Sequence, residues 1–302
     1  MNFFLKLLDK LYLKQWTIGI ANIDIEEIIR VKKINNSFKW IPVKDNYTFF
    51  ADPFICKTED GKYQILYEEL NYKKQYGNIS LFTINEENHV TGKRVLLDTK
   101  SHLSYPFIFW ENNKMYVFPE SSAASHLACY EFDQKNRALI FKKNILNLPV
   151  LDSTILKHQN KYWIFCTMRG DESNNKLFIY YSENLFGTYL PHKKNPVKDD
   201  INGARPAGNF IKIAESVYRP AQASGNYYGS AIIIFKIKNL SEENFEEELY
   251  MSIKPDKKEK FNFGIHTINE CDGKIVVDGL AKTFSPIVQL KTFLNKKLKV
   301  GG

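Results

Sequence analysis

Short apolar and aromatic runs, each broken by a tight polar turn, recur along the chain with the two-residue period of half-buried strands. The first clear copy is Phe50–Cys56 (FADPFIC), a turn at EDGK, and a return through Tyr63–Glu69 (YQILYEE). The Asp-Gly pair in that turn suits a hairpin, because glycine accepts the positive φ that such turns demand. Gly77–Ile84 and Arg94–Asp98 supply a third and a fourth strand.

The unit then repeats. Ser104–Trp110 (SYPFIFW) turns at ENNK and returns as Met115–Ser121 (MYVFPES). Leu151–Leu156 (LDSTIL) turns at HQNK, returns as Tyr162–Thr167 and continues into Lys176–Ser182. A looser fourth copy runs Ala204–Phe210 (ARPAGNF), Tyr218–Ala223 (YRPAQA) and Gly229–Ile237, and a fifth runs Gly264–Asn269 (GIHTIN) and Ile275–Gly279 (IVVDG). Repeat starts at 52, 106, 152, 205 and 266 are spaced as four-stranded blades arranged radially require. The pattern predicts an all-β chain, a five-bladed β-propeller with short N- and C-terminal helices.

Such a ring must tie its last blade to its first, and the lone strand Gln15–Ala21 (QWTIGIA) is expected to complete the fifth blade. The expected organisation is an amphipathic helix at 1–14, the propeller at 15–284, and a basic helix and tail at 285–302, where Ile287, Leu290 and Phe293 or Leu294 fall at helical spacing opposite lysines.

Composition narrows the partners. The net charge of +8 comes mostly from lysines dispersed along the chain, without a basic run interleaved with aromatics, which argues against nucleic acid. Anionic substrates and an acidic membrane surface fit this charge. The four cysteines lie far apart and form no zinc signature; reduced thiols and a cytoplasmic location, peripheral at the inner face of the membrane, are the simplest expectation. No dinucleotide, phosphate-loop or metal-loop spacing is present, so neither a cofactor nor a metal is expected.

The ordered elements FADPF, YPFI, FPES, DSTI, ARPAG, YRPAQ and GIHT resemble the five-bladed propellers of the arabinanase and invertase superfamily, and more closely the domain at the N-terminus of plant glucosamine inositolphosphorylceramide transferases and in bacterial surface-polysaccharide proteins. The resemblance covers about residues 15 to 280. It implies that the start of each innermost strand faces a central carbohydrate pocket. It further implies that Asp52 stands where hydrolases of this fold keep a general base and Asp152 where they keep a helper carboxylate. The fourth blade departs from those hydrolases, since Arg205 stands where their acid is expected.

Glycosidic chemistry needs one carboxyl group to protonate an oxygen and another to accept a proton or attack. The candidates for the missing acid are Glu120, Glu68 and Glu69, with Glu120 favoured because Pro119 constrains its backbone. Arg205 and Arg219 each precede proline, which holds their backbones extended and suits them to grip an anionic group. Against this stands a structural use in ion pairs with Asp or Glu. His266 is a candidate hydrogen-bond donor to sugar or proton-transfer group, against a structural hydrogen-bonding use, and Tyr105 is the favoured stacking platform over Tyr218 and Trp110. The expected activity is glycosyl transfer in surface-polysaccharide or glycolipid assembly, on a carbohydrate carried as a nucleotide sugar or sugar phosphate. The alternatives are an arabinanase-type glycosidase or phosphorylase and a sugar-binding propeller without catalysis.

Overall fold

The computed structural model describes residues 11–34, 38–58 and 60–286. The chain opens on strand β1 (Tyr12–Asn22), helix α1 (Ile25–Val31) and strand β2 (Lys39–Trp40). Helix α1 starts where Asp24 accepts a hydrogen bond from the Glu26 amide at 2.7 Å and stops where Lys32 turns left-handed; Ile25, Ile28 and Ile29 form its buried stripe.

Four antiparallel meanders follow. Blade one is β3 (Thr48–Lys57), β4 (Tyr63–Asn71), β5 (Tyr76–Ile84) and β6 (Val90–Leu97). Blade two is β7 (Ser104–Glu111), β8 (Lys114–Glu120), β9 (Leu127–Asp133) and β10 (Ala138–Leu146). Blade three is β11 (Val150–His158), β12 (Lys161–Met168) and β13 (Lys176–Ser182), edged by β14 (Leu190–Pro191) and β15 (Lys198–Asp199). Blade four is β16 (Ile211–Ile213), β17 (Ser216–Ala223), β18 (Ala231–Leu240) and β19 (Phe245–Ile253).

Blade five joins both ends of the chain, in the order β20 (Ile268–Cys271), β21 (Lys274–Phe284), β1, β2. The β1–β21 ladder runs unbroken from Tyr12 opposite Phe284 to Asn22 opposite Lys274. This closes the ring as the lone N-terminal strand suggested, and the inner edge strand of each separate sheet faces the axis. The strand begins at Tyr12, so Tyr12, Leu13 and Lys14 are extended where the N-terminal helix was expected. The remainder of that helix, and the C-terminal helix beyond Pro286, lie outside the described residues.

The core sits between blades. Phe54, Leu66 and Leu81 of blade one pack with Phe107, Val117 and Cys129 of blade two, and with Ile155, Ile164 and Tyr180 of blade three. The inner strands are therefore buried on both faces, as β3 is from Ala51 to Cys56 and β4 from Tyr63 to Glu68, whereas outer strands such as β6 and β19 are largely exposed.

One device repeats at the axis. The inner strands of the first three blades each carry a bulge, between Ala51 and Phe54, Ser104 and Phe107, and Leu151 and Thr154. The bulges hold Asp52, Tyr105 and Asp152 at φ of 50°, 42° and 48°, a left-handed backbone that costs a residue other than glycine about 1–3 kcal/mol. A proline after the bulged residue is tolerated because no ladder amide is needed there, as at Pro53 and Pro106. The equivalent of Asp52 in blade two is thus Tyr105, one residue before the repeat start read from the sequence.

Candidate functional site

The bulge residues of blades one to three converge on the channel with Arg205 of blade four and His266 of blade five. Around them stands a second set from the second strands: Glu68, Glu120, Gln222 and Asp278. Glu68 pairs in register with Ala51 and Glu120 with Ser104, which sets each beside the bulge of its own blade.

Two charge groups result. In the first, the His266 ring stands between Asp52, 3.1 Å from Nε2, and Asp278, 2.9 Å from Nδ1. Burial opposes the charged ring, but Asp278 and Asp52 together outweigh it and lift the imidazole to about 10, so it is an imidazolium at neutral pH. Asp52 also accepts hydrogen bonds from Thr267 Oγ1 at 2.9 Å and from the Tyr105 amide at 3.2 Å. Asp278 accepts from the amides of His266, Thr267 and Asp52 at 2.9, 3.0 and 3.0 Å. Trp16 covers the histidine, with ring centroids 4.3 Å apart, and Tyr228 approaches it at 5.2 Å.

In the second group, Arg205 forks onto Asp152, with Nε 2.6 Å from Oδ2 and Nη2 3.2 Å from Oδ1, and Gln222 Nε2 donates to Oδ2 at 2.7 Å. The Arg205 Nη1 reaches Asn174 at 3.2 Å, and its guanidinium carbon lies 5.4 Å from the Tyr228 ring centre. Glu120 accepts from Ser122 Oγ at 2.9 Å and from the Asp152 amide at 3.3 Å, with Arg205 3.8 Å away. Burial first, and the Asp152 carboxylate second, push the Glu120 carboxyl up to about 8. Glu68 is raised well above the usual carboxylate range, by burial and then by Asp52 and Glu120.

Asp52, His266 and Asp278 offer donor atoms within 4.8 Å of one another, a spacing that could hold a metal ion. In this arrangement the two imidazole nitrogens already face the two carboxylates, and the imidazolium supplies the positive charge between them. A metal ion there would require that ring to lose its proton.

Asp52, Asp152, Glu120, Arg205 and His266 are therefore brought together at the axis, whereas Arg219 and Tyr105 point elsewhere. Arg219 is 1% exposed and spends its fork on Glu247 of β19, at 2.8 and 2.6 Å, with further bonds to the carbonyls of Gly203 and Ala204. Its partner is an outer-strand acid, so it serves the interior of blade four rather than the channel. Tyr105 is completely buried and cannot be a stacking platform. Its ring packs edge-on against Phe54, and its hydroxyl meets Thr154 Oγ1 and the Gly208 amide, both at 2.7 Å. Blade two thus reaches across to blades three and four, closing the axis beneath the carboxylates. Tyr105→Phe leaves the buried Gly208 amide without its partner and is expected to cost about 1–3 kcal/mol in chemical denaturation. A loss below a few tenths would mean that water replaces the hydroxyl. Trp110 is 45% exposed but lines a cavity of about 760 Å³ at the opposite mouth, with Lys157, Lys212 and Glu270.

Sequence reasoning missed Asp278, Gln222, Thr267 and the covering rings of Trp16 and Tyr228. A signal for Asp278 was available: Tyr67-Glu68, Pro119-Glu120 and Val277-Asp278 each end a second-strand apolar run on an acid.

Comparison with known proteins agrees with this architecture. The family described as "Glucosamine inositolphosphorylceramide transferase 1, N-terminal" matches residues 41–276. Glucosamine inositolphosphorylceramide transferase 1 of Arabidopsis thaliana is 34% identical over 219 residues, covering 70% of this chain and 28% of the relative, so the chain spans little more than a quarter of that protein. Among solved structures, a family 117 glycoside hydrolase from Zobellia galactanivorans superposes with a TM-score of 0.56 over 92% of both chains at 11% identity. An exo-β-1,3-galactanase from Clostridium thermocellum gives 0.55 over 73% of this chain and 57% of its own, also at 11%. These two likenesses concern the fold. The match over most of the propeller and the identity to the plant protein show that this chain belongs to the family of the N-terminal region of glucosamine inositolphosphorylceramide transferase 1.

Proposed function

We propose that the propeller binds a sugar at the bulged end of its channel and takes part in glycosyl transfer during surface-polysaccharide or glycolipid assembly, with Glu120 as proton donor and Asp52 as proton acceptor. The observation that carries this reading is the contrast between two buried carboxyl groups. Glu120 is crowded by the Asp152 carboxylate and keeps its proton to about pH 8, whereas Asp52 faces an imidazolium. Carboxyl groups in such opposed surroundings are how one site runs acid and base steps at neutral pH. The Arg205 fork fixes the carboxylate that crowds Glu120. The name of the plant relatives, glucosamine inositolphosphorylceramide transferase 1, supports sugar transfer in glycolipid assembly; the donor in this reading is a nucleotide sugar or sugar phosphate. The reading carries a cytoplasmic location at the inner membrane face, where the Lys-rich ends of the chain suit an anionic surface.

A second reading is a sugar-binding propeller without catalysis. It is favoured by the engagement of Asp52 and Asp152, only 4% and 2% exposed, with partners inside the protein.

Thermal shift of the wild type and Glu120→Gln against nucleotide sugars, sugar phosphates and neutral oligosaccharides tests both. A specific ligand at about 100 times its Kd stabilises the folded state by about 2.7 kcal/mol. Transfer predicts stabilisation by a nucleotide sugar or sugar phosphate, and turnover that Glu120→Gln reduces about 100-fold or more. Stabilisation without turnover in the wild type selects the binding reading, and no response to any carbohydrate overturns both.

A further inference from the structure

Three acids, Glu68, Glu120 and Asp278, stand on second strands, and two of them perform the same internal task. Asp278 of blade five accepts the bulge amide of Asp52 in the neighbouring blade one, at 3.0 Å. Glu120 of blade two accepts the bulge amide of Asp152 in blade three, at 3.3 Å. By the same pattern Glu68 of blade one would accept the Tyr105 amide of blade two, but Asp52 Oδ2 takes that bond instead, at 3.2 Å.

Glu68 is thereby released from the role its counterparts play. It is 6% exposed, and its Oε1 is buried without a hydrogen-bond partner among the described residues. A buried polar atom left in this state costs about 1–3 kcal/mol, so its retention calls for a use. Room for the carboxyl is kept by Gly77: a Cβ there would stand 2.6 Å from Oε1. The neighbour on the open side is His102, whose Nε2 lies 3.7 Å from Oε1 and whose side chain is 38% exposed, so the carboxyl sits just inside the solvent-facing mouth. The Gly77 amide donates to His102 Nδ1 at 3.0 Å, which holds that ring in place.

We propose that Glu68 is the residue of this channel that grips the ligand itself, donating through its carboxylic O–H and accepting at Oε1 from neighbouring hydroxyl groups of a pyranose ring seated beside Asp52. Ring hydroxyls are the matching chemistry because each can both donate and accept, as a carboxylic acid group does. Burial, then the adjacent Asp52 and Glu120, raise the Glu68 carboxyl well above the usual carboxylate range, which favours the form that supplies the donor. The inference rests on the sugar-binding reading and names the group that recognises the sugar.

Wild type, Glu68→Gln and Glu68→Leu are titrated by NMR with methyl pyranosides and pyranosyl 1-phosphates of gluco, galacto and manno configuration, together with the deoxy analogue of whichever sugar binds. Glu68→Gln retains one donor and one acceptor and is expected to keep affinity within a few-fold. Glu68→Leu is expected to weaken binding about 10-fold or more, and to lose the wild type's preference for the hydroxylated sugar over its deoxy analogue. Undiminished binding and discrimination in a folded Glu68→Leu overturn the role of Glu68 and leave the sugar-binding reading standing. Absence of binding to every sugar in the wild type overturns that reading, and the Glu68 contact with it.

Discussion

Replacing His266 by alanine is expected to cost about 3–5 kcal/mol of folding stability, because it leaves Asp52 and Asp278 facing each other in the interior without the cation between them. Both carboxylates keep several hydrogen bonds, but none comes from a charged donor. The pH dependence separates this from a simple packing loss. The imidazole is raised from an ordinary 6.5 to about 10 on folding. A basic group raised in this way adds stability that is fully present below about pH 6.5 and is lost as the pH climbs through 10. Glu120 acts in the same direction over a lower window: its carboxyl rises from 4.5 to about 8 on folding, so the folded state holds a proton that the unfolded chain has released. The wild-type melting temperature is therefore expected to fall from mildly acidic to alkaline pH, and His266→Ala to lack the upper part of that fall. Melting curves from pH 6 to 10 decide the matter, and parallel wild-type and variant profiles would show that the ring is neutral in the folded protein.

Arg205→Ala is expected to be of comparable size. The guanidinium is the bidentate partner of a carboxylate that is 2% exposed, and its removal leaves Asp152 with the neutral Gln222 amide as its side-chain donor. Losing one member of a buried pair costs about 3–5 kcal/mol, most of it from the charge left behind. Arg205→Lys restores the charge but not the fork, and is expected to recover only part of the loss. A double-mutant cycle with Asp152→Ala isolates the interaction, with a coupling on the order of 2 kcal/mol expected. Additive effects would mean that the pair contributes through its separate contacts. Because Arg205 also holds the Glu120 carboxyl down, the alanine variant should raise Glu120 beyond about 8 and move any acid-limited activity profile toward higher pH.

Much of this was legible from local pattern. Strand and turn alternation is a property of neighbouring residues, and five copies of one hairpin unit leave few ways to bury both faces of every inner strand except a closed ring. The closing strand could be read in the same way, because Gln15–Ala21 had no partner nearby in sequence and blade five lacked a third strand. The axial positions of Asp52, Asp152, Arg205 and His266 followed from the repeat, since equivalent positions in radial blades must meet at the axis.

What each side chain does there was settled only by the tertiary structure, because it depends on contacts between blades that are far apart in sequence. Arg205 and Arg219 both precede proline in similar strings, yet one turns to Asp152 in the channel and the other to Glu247 inside blade four. Tyr105 has the sequence character of a stacking platform, and a left-handed bulge drives it inward to hydrogen-bond with Gly208, 103 residues away. The sequence by itself determined the number of blades, their closure and the residues that reach the axis, because periodicity and burial act locally. Only the assembled ring decided which carboxyl groups are paired, which hold a proton and which is left free, because those properties arise from charges that folding alone brings together.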